Sequence, residues 1–139
     1  MTPPLCRAKY DLEGGFLEGY ICYVPTSNVI GIQTRHTHGF VRVIPKTIGR
    51  FTGRYDVAGK PIYEGDIVSY STGLWVVEYN SGKMGFVFRN LRNDAILPGY
   101  AVTAATRVVG NIVENPEILR MKRLQTGART LWRTEDGRR

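Results

Sequence analysis

Cysteine is scarce: only Cys6 and Cys22 occur in 139 residues, and they form no C-x-x-C pair. That excludes a disulfide-stapled secreted scaffold and leaves reduced thiols in a cytoplasm as the expectation. No window approaches the roughly 18 to 20 consecutive apolar residues of a membrane span. The N-terminal run MTPPLCRAKYDLEGG has no hydrophobic signal core. A soluble, unexported, cytoplasmic protein with no membrane partner is therefore expected. Glycine follows no fixed period and there is no low-complexity tract, so collagen-like and disordered chains drop out. Catalytic signatures are missing as well: the chain has no H-E-x-x-H, no G-x-S-x-G and no phosphate-cradling G-x-x-x-x-G-K-[ST].

What is present is enough apolar material, 42% of residues, to close one compact domain or two very small ones. Lysine and arginine (19) exceed aspartate and glutamate (12), giving +7, but the excess is uneven. From Ile118 onward there are seven basic residues and two acidic ones, Glu135 and Asp136, a net +5; the rest of the chain carries only +2. A nearly neutral body with a cationic tail suits an acidic partner, either nucleic acid or an acidic protein face.

The body reads as short strands. Tyr20 to Val24, Val29 to Gln33 and Phe40 to Ile44 are β-branched and aromatic-rich runs separated by turn residues, and they form an expected three-stranded meander. Pro45 stops the third run because it has no N–H for a ladder. Asp56 to Pro61 is turn chemistry, and Gly65-Asp66 opens a strand at Ile67. Leu74 to Tyr79 and Met84 to Phe88 flank Asn80-Ser81-Gly82-Lys83, which suits a β-hairpin, and Arg107 to Val113 supplies a further strand. The expected fold class is mainly β: small barrel- or sandwich-like units of short antiparallel strands, one short C-terminal helix and a basic tail. The division reads as a meander subdomain at 1–46, a barrel-like subdomain at 47–113, a helix at 114–125 and a tail at 126–139. In the helix, Asn115 stands at the N-cap, Pro116 at the first position and Glu117 near the positive dipole end, with Ile118, Met121 and Leu124 as an apolar stripe.

Several residues invite chemical readings. Glu64 and Asp66, two apart on an extended segment, can face one way as paired carboxylates, but no third group accompanies them in sequence. His36 and His38 share the loop Arg35-His36-Thr37-His38-Gly39, without cysteines or carboxylates at ligand spacing. No enzyme activity, metal or cofactor is expected. Nucleic-acid binding has more to offer: Tyr70, Trp75, Tyr79, Phe86 and Phe88 interleave with Lys83, Arg89 and Arg92, although a small β-domain needs most of its aromatics for its core. The tail adds Arg120, Lys122, Arg123, Arg129 and Arg133 as contacts for a partner or a nucleic acid, with Trp132 either folding back or inserting into a neighbour.

Thr47-Ile48-Gly49-Arg50-Phe51-Thr52-Gly53, then Gly59, then Ile62-Tyr63-Glu64-Gly65-Asp66-Ile67-Val68 stand in the order typical of the YopX family, which this chain resembles. Val109-Gly110-Asn111-Ile112 followed by Glu114-Asn115-Pro116-Glu117-Ile118-Leu119 is similar to the family's closing segment. Gly14 to Tyr20 and Val43 to Thr47 are similar to its N-terminal part. The resemblance spans about residues 7 to 119. Arg50 stands where glutamine is common and Arg54 where leucine is common, and the segment from Met121 has no counterpart. The resemblance implies a largely β protein encoded by phages and prophages, with small barrel-like units, a tendency to homo-oligomers and no established activity. It carries over no catalytic residue. Gly53, Tyr63, Glu64, Gly65, Asp66, Gly110, Asn111, Asn115 and Pro116 are expected to be architectural.

The leading functional expectation is a non-catalytic, oligomeric binding protein that modulates or inhibits a host nucleic-acid-processing or defence complex through an acidic protein surface. Direct nucleic-acid binding and a purely structural homo-oligomer are the alternatives, with a small enzyme or nucleotide-sequestering protein behind them.

Overall fold

The computed structural model describes residues 5–99 and 103–119. It is mainly β and holds two antiparallel sheets, one in each of two compact units. The first unit runs to Tyr55 and includes Pro61–Glu64; the second comprises Asp56–Lys60 and the chain from Gly65.

The first sheet has the order β4-β3-β2-β1-β5-β6, from β1 (Cys6–Ala8), β2 (Leu17–Val24), β3 (Val29–Gln33), β4 (Val41–Arg42), β5 (Gly49–Tyr55) and β6 (Pro61–Tyr63). The expected meander is β2-β3-β4, with Ile21 opposite Ile32 and Gly31 opposite Arg42. Its core is Ala8, Ile32 and Val43, with Leu17, Ile21, Ile30, Val41 and Ile48 packed against them. Pro45 ends the meander by starting a single 3-10 turn, Pro45–Thr47. The Thr47 N–H and hydroxyl both donate to the Ile44 carbonyl, at 2.9 and 2.6 Å.

The chain stays in the first unit beyond residue 46. It turns back as β5 along the free edge of β1, pairing Arg50 with Cys6, and continues into β6. The boundary therefore falls at Tyr55, because β1 offers ladder hydrogen bonds on both sides. β1 itself was not anticipated, since a strand flanked and occupied by cations reads as surface. Both cations are buried: the Arg7 guanidinium lies 4.4 Å from the Phe16 ring centre and 4.8 Å from that of Tyr63, and Lys9 Nζ lies 5.0 Å from Phe16. The ring faces offset part of the desolvation cost of these charges.

The second sheet has the order β10-β9-β8-β7-β11, from β7 (Asp66–Tyr70), β8 (Gly73–Asn80), β9 (Gly85–Asn90), β10 (Ile96–Pro98) and β11 (Arg107–Asn111). The β8–β9 hairpin forms over the expected turn: Asn80 accepts the Lys83 N–H, and Met84 takes φ 56° to close it. Ile67, Val76 and Leu91 form a core to which Ile112, Ile118 and Leu119 add. On the opposite sheet face Val68, Trp75, Val77 and Phe88 are buried as well. Residues 116–119 are helical, and Pro116 occupies the expected first position. The remainder of the expected helix and the whole tail lie outside the described residues.

Candidate functional site

The residues expected to be architectural converge on two nodes. In the first unit, Glu64 receives the Arg50 guanidinium through two parallel bonds, Nε to Oε1 at 3.0 Å and Nη2 to Oε2 at 3.1 Å, and the Arg50 N–H at 3.3 Å. Burial pushes the Glu64 carboxyl up, but the Arg50 hydrogen bonds and charge outweigh it and hold the group below its ordinary value. Its ring neighbour Tyr63 packs on Phe51 with centroids 5.7 Å apart, and Gly53, at φ 85°, sits within the irregular register between Phe51 and Tyr55. The two carboxylates Glu64 and Asp66 do not act as a pair: Glu64 is engaged with Arg50, while Asp66 is buried in β7 opposite Asn111. Burial also pushes the Cys6 thiol up, away from the reactive thiolate.

In the second unit, Gly65 at φ 91° donates its N–H to the Val77 carbonyl and accepts from the Ile112 N–H, at 2.8 and 2.9 Å. Asn111 accepts the Val113 and Glu114 N–H groups on its side-chain oxygen, and its amide donates to Glu114. Asn115, expected as a helix cap, instead turns its side-chain oxygen back to the Asn111 N–H at 3.0 Å. A Cβ at Gly110 would lie 2.6 Å from that oxygen, so a side chain there forces Asn115 to shift. The two motifs thus fasten the closing segment to β7.

Asp56 forms a further node that sequence reasoning saw only as a turn. It accepts from Ala58 and Lys60 on one oxygen and, 52 residues away, from the Val108 N–H on the other at 2.9 Å. Burial raises its carboxyl, and these three N–H groups together with the Arg107 charge bring it below its ordinary value. The turn motif was readable; the Val108 partner had no local signal.

The binding candidates separate. Arg89 is not a free cation: Glu78 takes it in two bonds at 3.0 and 2.7 Å, and Asp94 takes it at 2.9 Å. The Glu78 hydrogen bonds hold its charge above the ordinary arginine value. Lys83 is exposed in the β8–β9 turn, remote in the ladder from Arg92, which follows the other end of β9. Phe88 is buried, and Tyr79 and Phe86 stack edge to face at 5.4 Å. Arg120, Lys122, Arg123, Arg129, Trp132 and Arg133 lie outside the described residues. His36 and His38 are exposed in the loop after β3.

Arg92, Tyr70 and Trp75 do come together. They line a groove of about 500 Å³ formed by residues 70–75 of the β7–β8 turn, residues 90–93 and Ile118. Tyr70 and Trp75 meet edge to face at 6.3 Å, and the indole N–H donates to the Tyr70 carbonyl at 3.2 Å. Trp75 is only 8% exposed, so it forms wall rather than platform. Asn90 and Asn93 were missed by sequence reasoning; the N-x-x-N spacing after a strand was the available signal.

Sheets and nodes define a class: a small, mainly β protein of two antiparallel units. The YopX family model, described as YopX protein, matches residues 25–120, and the chain belongs to that family. A solved structure, the crystal structure of protein EF1440 from Enterococcus faecalis, is similar in fold at 22% identity and TM-score 0.56, covering 86% of this chain and 99% of that one. No protein with a curated description matches. No helix among the described residues is long and apolar enough to cross a membrane.

Proposed function

We propose that this YopX-family chain is a phage-encoded, non-catalytic, oligomeric binding protein that modulates or inhibits a host nucleic-acid-processing or defence complex through protein–protein contacts. The observation that supports it is the groove: its rim carries the exposed Arg92 and its wall includes Ile118, after which the sequence runs into a segment of net +5 when counted from Ile118. Cationic surface beside an apolar pocket favours fast association with an acidic protein face. The test is in-cell crosslinking of the tagged full chain in a bacterial host, followed by mass spectrometry. A host protein crosslinked to residues 70–75 or 90–93, or to the tail, is the expected result. Crosslinks confined to nucleic acid, or to other copies of the chain, overturn it.

Direct nucleic-acid binding is the second reading, favoured by the exposure of Lys83 and Arg92. The engagement of Arg89 with Glu78 and Asp94 removes one of the cations on which that reading drew.

A further inference from the structure

We infer that the groove beside Ile118 receives an acidic peptide segment carrying one large apolar side chain. This rests on the proposal that the chain works through protein contacts, and names the chemistry of the contact. Its volume of about 500 Å³ lies within the ~300–1,000 Å³ of ordinary ligand pockets. Leu74, Trp75, Leu91 and Ile118 supply apolar wall, enough to take a side chain such as leucine or tryptophan out of water.

The polar part of the lining is one-sided. The amide acceptors are already engaged: Asn90 Oδ1 takes the Arg92 and Asn93 N–H groups, at 2.8 and 3.2 Å, and Asn93 Oδ1 takes the Ala95 N–H at 2.9 Å. Donors remain. The Arg92 guanidinium and the Asn93 amide have no side-chain partner among the described residues, and the Ser71 and Thr72 hydroxyls are exposed. Among the described residues, no carboxylate lines the groove. A surface that offers donors and positive charge but few free acceptors selects a ligand rich in anionic acceptors, and a guanidinium suits a carboxylate in two parallel bonds.

Carboxylates are favoured over nucleotides by the aromatics. Single-stranded nucleic acid is held by bases lying flat on exposed rings. Trp75 is 8% exposed and Tyr70 meets it edge to face, so the wall accepts a side chain between its groups without presenting a platform for a base.

The full chain is panned against a random peptide library, and enriched peptides are titrated by fluorescence polarisation. Peptides combining acidic residues with a large apolar residue are expected. Arg92→Glu, which reverses the rim charge, and Thr72→Trp, which adds bulk at an exposed position of the turn, should each weaken binding on the order of tenfold or more. Arg92→Lys, which keeps the charge but loses the two parallel bonds, should weaken binding less than Arg92→Glu does. Melting by circular dichroism checks that each variant folds. The inference is overturned by a lack of enrichment, by enriched peptides without acidic residues, or by unchanged binding in folded Arg92→Glu and Thr72→Trp. It is also overturned if a poly-dT oligonucleotide, or a peptide of residues 126–139, occupies the groove more tightly than the enriched peptides. A host protein crosslinked equally well to wild type and Arg92→Glu leaves the proposed function standing and removes the groove as its site.

Discussion

Asn115 and Asn111 hold each other through reciprocal bonds: the Asn115 side-chain oxygen accepts the Asn111 N–H at 3.0 Å, and the Asn115 N–H donates to the Asn111 carbonyl at 2.8 Å. This clasp turns the chain out of β11 and places Ile118 and Leu119 on the core of Ile67, Val76 and Leu91.

Gly110 gives the clasp its test. Gly110→Ala brings a methyl group to 2.6 Å from the Asn115 oxygen and should cost about 1–3 kcal/mol, as overpacking does. Asn115→Ala removes the obstacle. The cost of Gly110→Ala should therefore shrink in the Asn115→Ala background, with a coupling of about 0.5–3 kcal/mol in urea unfolding. Strict additivity contradicts the clasp.

Arg50 and Glu64 predict an acid-dependent stability. Both side chains are partly exposed, so Arg50→Gln should cost only ~0.2–1 kcal/mol, and less at high salt. The folded Glu64 carboxyl titrates below its unfolded value, so the pair's contribution is complete above that unfolded value. It is lost as pH falls through the lower folded one. Denaturant midpoints taken from about pH 6 to about pH 3 should show a steeper fall for the wild type than for Arg50→Gln, around the ordinary glutamate range near ~4.3.

Asp56 should protect amides far from it in sequence. Asp56→Ala removes an acceptor shared by Ala58, Lys60 and Val108, and should cost about 1.5–3 kcal/mol, the range for bonds to a charged group. Hydrogen exchange should accelerate at those three N–H groups before it does at Val76 or Val77. Uniform acceleration would point to loss of the whole fold instead. Because the folded carboxyl is depressed, this contribution also disappears as pH falls through its lowered value.

Arg89 separates the two functional readings. If nucleic acid binds the second unit directly, neutralising Arg92 or Lys83 should each lower the slope of log affinity against log salt by about one. Arg89→Gln should leave that slope nearly unchanged, since Glu78 and Asp94 already neutralise the group. Fluorescence anisotropy with labelled oligonucleotides measures this. A large slope change for Arg89→Gln would show that its carboxylate partners give way to phosphate.

The strands that alternate or cluster β-branched residues were legible, as were the turns at Pro45, Asp56 to Pro61 and Asn80 to Lys83. β1 and β5 were not. Cys6-Arg7-Ala8 conceals its burial because Phe16 and Tyr63 cover the arginine only after folding, and Gly49 to Tyr55 carries the glycines and arginines of a surface loop. Of the candidate site, Tyr70, Trp75 and Arg92 were picked out separately. Their meeting depends on the β8–β9 register that puts Trp75 opposite Asn90.

The sequence by itself determined the β class and the positions of most turns. These follow from local backbone preference: proline without an N–H, glycine at positive φ, and branched side chains on a pleat. Only the tertiary structure decided which charges are engaged and which are offered. Arg89 and Arg92 stand three residues apart with the same chemistry, yet cross-strand register sets Arg89 beside Glu78 while Arg92 rides past the end of β9 to the groove rim. Electrostatic partnership is set by distance in space, and strand pairing fixes that distance.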